Sequence, residues 1–256
     1  MRESAALWPG SAVREVSLRS VDGLRLRAYW HPGGDRAAVL LHGKRGSGRS
    51  EAVVATARVY AGAGFGVLVP DLRGRGGSEG RFLTAGYQEE RDVRGALRWL
   101  AERGFEARRV VLHGWSAGGA AALRAAPGAG VGAVVEDSAF AELPLLLGDL
   151  FPGPPRLLCG AARLVSRVLG TEFDPWALCP REDAARLYGE GVPLLIIHCR
   201  GDRVVPFRHA ELLAAAHPAA DFWEVADGFH GGAYAHPGYR ERLLGFVERA
   251  LGPGGG

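Results

Sequence analysis

The chain has 256 residues, of which 47% are apolar and 23% charged, with a formal net charge of +3. That is enough to bury one sizeable core, so the expectation is a single domain over residues 1–256. The charges are interspersed without the basic block of a nucleic-acid-binding tail, and no run of about 18 apolar residues offers a membrane span.

In chain order, residues 13–18 and 24–30 alternate apolar and polar side chains about Asp22-Gly23, the pattern of a β-hairpin. Residues 37–41 read as a buried strand stopped by His42-Gly43, and 50–63 carry helical spacing. A second buried strand at 65–69 closes in Pro70-Asp71, and a Gly-rich loop over 73–80 leads to a helix over 87–103. A strand at 109–113 runs into Gly114-Trp115-Ser116-Ala117-Gly118, followed by an Ala-rich helix to about residue 126. Further strands are expected at 131–136, 192–199 and 221–225, with helices at 207–217 and 237–251. The tail Gly252-Pro253-Gly254-Gly255-Gly256 reads as frayed. Strands alternating with helices predict an α/β fold: a mostly parallel sheet covered on both faces.

Residues 141–191 break this rhythm, because some fifty residues are too many for a plain crossover. Two apolar helical pieces, 143–151 and 157–169, flank Pro152-Gly153-Pro154-Pro155. They are the candidate helical lid. Leu157 and Leu158 are candidates for lining a substrate pocket, and the alternative is that these faces pack on the core.

At the N-terminus, Met1 to Trp8 contain no apolar stretch of signal-peptide length. Cys159, Cys179 and Cys199 are odd in number and lack close metal-ligand spacing. A disulfide framework is therefore not expected, and the location implied is cytoplasmic. No metal cluster or dinucleotide fingerprint is present, so no cofactor is expected.

The chemistry points to Ser116. A Gly-x-Ser-x-Gly turn between strand and helix pushes a serine hydroxyl into the open, and the helix start presents unpaired N–H groups to a developing negative charge. A serine needs a base, and the base needs an orienting carboxylate. Parallel-sheet enzymes carry such groups on loops beyond the carboxyl ends of strands. There stand Asp202, in Gly201-Asp202-Arg203-Val204-Val205-Pro206, and His230, in Gly228-Phe229-His230. Asp137, after the strand at 131–136, is the rival acid. His42 reads as a loop-holding residue, His113 and His198 as core histidines, and His209, His217 and His236 as surface residues. Asp71 and Arg73 read as loop-fixing pairs.

Taken with Leu41-His42-Gly43 and Asp71-Leu72-Arg73-Gly74-Arg75-Gly76-Gly77-Ser78, these motifs resemble those of the α/β-hydrolase superfamily, in order, from residue 13 to about 251. The resemblance implies an eight-stranded, mostly parallel sheet and a Ser116, Asp202, His230 triad. It also implies an oxyanion hole from the backbone N–H groups of Lys44 and Ala117. Serine at the elbow, where epoxide- and halide-processing members carry aspartate, implies acyl transfer. The expected substrate is a small-to-medium acyl ester or thioester. A peptidase resembling the prolyl-oligopeptidase catalytic domain and a non-catalytic binding protein on the same fold are the alternatives. Oligomeric state is not readable from the sequence.

Overall fold

The computed structural model describes residues 12–252 and 254. The N-terminal stretch inspected for a leader, and residues 253, 255 and 256 of the glycine-rich tail, lie outside them. Eight strands form one sheet: β1 (Arg14–Arg19), β2 (Arg25–His31), β3 (Ala37–Leu41), β4 (Gly66–Pro70), β5 (Val110–Trp115), β6 (Ala133–Asp137), β7 (Leu194–Cys199) and β8 (Asp221–Val225). Their order is β1-β2-β4-β3-β5-β6-β7-β8. Only the β1/β2 and β2/β4 pairs are antiparallel, so the sheet from β4 to β8 is parallel.

Alternation along the strands supplies a core on each face, because successive side chains of a strand point to opposite sides. Val39, Leu41, Leu112, Val134, Leu194 and Ile196 join one apolar cluster, and their neighbours Ala38, Leu40, Val111, Val135, Leu195 and Ile197 join the other. The first face is covered by α2 (Glu89–Ala101), α3 (Ala117–Ala125) and α7 (Arg208–Ala216). The second is covered by α1 (Glu51–Gly62) and α8 (Tyr239–Leu251). Strands buried on both sides explain why their sequences read as unbroken apolar runs.

The segment 141–191 differs from the two-helix expectation. It holds α4 (Leu143–Leu150), α5 (Pro155–Val168), a 3₁₀ turn at Pro175–Ala177 and a third helix, α6 (Pro180–Gly189). Pro180, Asp183, Ala184 and Leu187 are buried at helical spacing, and α6 packs on α3 and α7. It is therefore the crossover helix feeding β7. Its start was legible, with proline in the first turn followed by Glu182 and Asp183 at the positive end of the helix dipole. The excursion away from the sheet ends near residue 179. Its α4 packs by Leu143 and Leu146 on Ala120, Phe140, Leu178 and Val205, close to the carboxyl ends of β5, β6 and β7. Among the described residues no helix is long and apolar enough to cross a membrane.

Candidate active site

Ser116 sits between β5 and α3 with φ 54° and ψ −120°, a region a residue with a side chain seldom occupies. The surrounding glycines make the turn possible. A Cβ on Gly114 would stand 2.2 Å from the carbonyl oxygen of Gly118, and one on Gly118 would stand 2.1 Å from that of Leu41. Backbone atoms cannot yield by that much, so the flanking positions admit only glycine. Helix α3 starts at the next residue, and the Ala120 N–H reaches back to the Ser116 carbonyl at 3.0 Å. The N–H groups of Ala117, Gly118 and Gly119 precede the first intrahelical bond, which leaves a local positive field beside Ser116.

The loop after β3 closes against this turn. A Cβ on Gly43 would lie 3.4 Å from the Ser116 Cβ, so Gly43 abuts the serine. A turn closed by the Gly46 N–H on the Gly43 carbonyl (2.9 Å) leaves Lys44 exposed. His42 fixes this loop. Its Nε2 accepts from the Leu72 N–H (3.0 Å), so the proton lies on Nδ1, which donates to the Gly43 carbonyl (2.9 Å). Burial pushes His42 below its ordinary pKa, which keeps the ring neutral in this role.

Asp71 binds the same region from below. It accepts from Gly48 N–H (2.8 Å) and Gly77 N–H (3.1 Å) and pairs with Arg27 (2.6 Å). Arg73 pairs with Asp92 (2.7 Å) and Asp22 (2.8 Å). Both residues therefore hold loops, as the sequence reading expected.

Of the two candidate acids, Asp202 is the one that meets His230. His230 Nδ1 lies 2.7 Å from Asp202 Oδ2. The other carboxylate oxygen accepts the N–H groups of Val204 (2.8 Å) and Val205 (2.9 Å). Burial pushes the Asp202 carboxyl up, but the bond and charge of His230 and the two backbone donors outweigh it and hold the group below its ordinary value. An ionised carboxylate only accepts, so His230 donates from Nδ1, and Nε2 is the ring nitrogen not engaged with Asp202. The His230 side chain is 22% exposed and that of Asp202 is fully buried.

Asp137 does something else. It is register partner of Trp115, and its carbonyl accepts the Ser116 N–H (2.8 Å). Its side chain accepts from Ser138 Oγ (2.8 Å), which in turn accepts from Gly231 N–H (3.0 Å). The chain Asp137–Ser138–Gly231 thus ties the histidine loop to the end of β6. The sequence reading offers Asp137 as a rival acid and gives no sign of this bond. Burial pushes the Asp137 carboxyl up to about 7 from an unfolded value of 3.8. Its folded pKa is the higher, so the stability it contributes is complete below about 4 and is lost as pH rises through about 7. Asp137→Asn keeps the acceptor for Ser138 and removes the titration. Its melting temperature is expected to exceed that of the parent by several degrees at about pH 8 and to match it at about pH 4. Thermal melts of the two proteins across this range check it.

Five further histidine assignments can be compared with the structure. His113 is buried beside Tyr60 and stacked on Trp115 at 4.3 Å, and burial pushes it down to about 3. His198 donates from Nε2 to the Val205 carbonyl (2.9 Å) and so braces the Asp202 loop. His209 and His217 are corrections, since both are buried rather than on the surface. His209 accepts the Ala141 N–H (3.0 Å) on Nδ1 and reaches Asp149 from Nε2 (2.9 Å), fastening α4 to α7. His217 bonds the Val192 carbonyl at 3.0 Å. His236 is exposed, as expected.

Leu157 and Leu158 are not drawn into this arrangement. Leu157 is 70% exposed and Leu158 partly buried, and α5 rests on α4 and the Pro175–Ala177 turn. The apolar face expected to cover the serine points to solvent. Among the described residues no group of three His, Cys, Asp or Glu is placed to hold a metal ion.

A family model described as X-Pro dipeptidyl-peptidase (S15 family) matches residues 22–143. The chain is 28% identical over 258 residues to the uncharacterised protein YfhR of Escherichia coli O157:H7, covering 96% of this chain and 84% of that one. It is 30% identical over 212 residues to the uncharacterised protein MT2364 of Mycobacterium tuberculosis, covering 80% of this chain and 67% of that one. Among solved structures, the Pyrococcus furiosus esterase Pf2001 superposes with a TM-score of 0.75 at 20% identity, over 94% of this chain and 92% of that one. With the sheet order described above, the chain has the α/β-hydrolase fold.

Proposed function

We propose that the chain is a serine hydrolase that cleaves carboxylic esters or thioesters of small-to-medium acyl groups through an acyl-enzyme. The observation that carries this reading is the 2.7 Å bond between His230 Nδ1 and Asp202, in a fold that sets Ser116 on a strained turn at a helix start. Ser116 Oγ attacks the acyl carbon as His230 Nε2 takes its proton. The oxyanion is held by the N–H groups of Ala117 and Lys44, each such donor being worth about 2.7–4 kcal/mol in the transition state. Collapse expels the alcohol or thiol, which recovers the proton from His230. Water, deprotonated by the same ring, then releases the acid and restores Ser116. The chemistry lies within one domain in which residues 141–179, rather than 141–191, form the cap. No cofactor enters it. Cys159, Cys179 and Cys199 are free thiols, which suits a reducing, cytoplasmic setting.

The family-model match favours a second reading, release of X-Pro dipeptides. Parallel assays with p-nitrophenyl butanoate and with glycyl-prolyl p-nitroanilide separate the two. The expected result is kcat/KM of about 10⁴ M⁻¹s⁻¹ or more on the ester and no saturable turnover of the anilide. Turnover of the anilide in that range would replace the esterase reading by the peptidase one.

A further inference from the structure

Helix α5 is the most amphipathic element of the cap, and its apolar stripe faces outward. Cys159 and Ser166 turn inward and are buried, whereas Leu157, Leu164 and Val168 recur at helical spacing and are 70%, 63% and 79% exposed. Val165 beside them is 55% exposed, and Phe151, just ahead of the helix, is half exposed. Fourteen residues make a ridge about 21 Å long. A continuous apolar ridge left in water is unusual unless another phase or partner covers it.

Charge indicates which. The helix carries Arg156, Arg163 and Arg167 and no acidic residue, and all three arginines are exposed. At 3.6 residues per turn they share one flank, to the side of the apolar stripe. Arg163 meets Asp174 at 3.6 Å across the open edge, leaving a cationic border. A second copy docking here antiparallel, about a two-fold axis across the helix, would bring arginines toward arginines. An anionic lipid surface accepts both features at once, with leucine and valine entering the acyl boundary and guanidinium groups meeting phosphate.

We propose that α5 docks the protein on anionic lipid bilayers, lying in the interface with its Leu157–Leu164–Val168 stripe toward the acyl chains. The surface is separate from the residues around Ser116, so the inference does not depend on the reaction proposed there. It would place the cap, and the strand ends beneath α4, at the source of a lipid-borne substrate.

Co-sedimentation of the full chain tests this, using vesicles of phosphatidylcholine alone and of phosphatidylcholine mixed with phosphatidylglycerol. The expected partition is about tenfold or more higher on the mixed vesicles, and it falls as salt rises. Leu164→Ser with Val168→Ser should lower partition by about tenfold or more, with an unchanged melting temperature because both side chains are already in water. Arg156→Gln with Arg167→Gln should remove the preference for phosphatidylglycerol. Failure to sediment with either vesicle, or sedimentation unaffected by the Leu164 and Val168 changes, overturns the proposal. So does a dimer in light scattering that those changes dissolve, because a second copy would then be the occupant.

Discussion

Ser116→Ala is expected to lower kcat for ester hydrolysis by about six orders of magnitude, the loss seen when a triad serine is removed from subtilisin. The fold should survive. Alanine keeps the Cβ that Ser116 already holds at φ 54°, so the strain of the turn is unchanged, and the Ser116 N–H bond to the Asp137 carbonyl does not involve the hydroxyl. Pure mutant protein should melt within a few degrees of the parent. More than a few per cent residual activity in that protein would move the nucleophile elsewhere.

Asp202→Asn has the next largest expected effect, a fall in kcat of about 10⁴, as the corresponding change produces in a serine protease. The asparagine carbonyl can still accept the Val204 and Val205 N–H groups, so the loop keeps its shape. Its amide then meets His230 donor to donor. The ring must turn or move its proton to Nε2, and that atom can no longer act as the base. The same change at Asp137, whose bond to Ser138 survives as asparagine, is expected to reduce kcat by less than tenfold; kcat values of the two variants, measured side by side, decide it. A larger loss for Asp137→Asn would exchange the two assignments.

Much of this was legible beforehand because the fold repeats simple signals. Continuous apolar runs between glycine-rich breaks locate the strands to within about two residues, and the Gly114-Trp115-Ser116-Ala117-Gly118 spacing locates the turn. The preference for Asp202 over Asp137 comes with the resemblance, and the Asp202 loop holds its carboxylate by consecutive backbone donors. What was missed has physical causes. Periodicity tells which side of a helix is apolar, but not what lies against it, so the Leu157 and Leu164 face was taken to look inward. A place on a helix suggests a surface position for His209, although it shares a helix face with Leu213, and both are fully buried. The link from Asp137 through Ser138 to Gly231 joins residues 93 apart in the chain, and no local pattern announces it.

The claim that Ser116 is an activated nucleophile is tested most directly by treating the native chain with a fluorophosphonate and mapping the adduct by peptide mass spectrometry. The account predicts a single adduct on Ser116, absent from the Ser116→Ala protein and slowed by orders of magnitude in Asp202→Asn. An adduct on another residue, or native protein that stays unlabelled under conditions that label an authentic serine esterase, would contradict it.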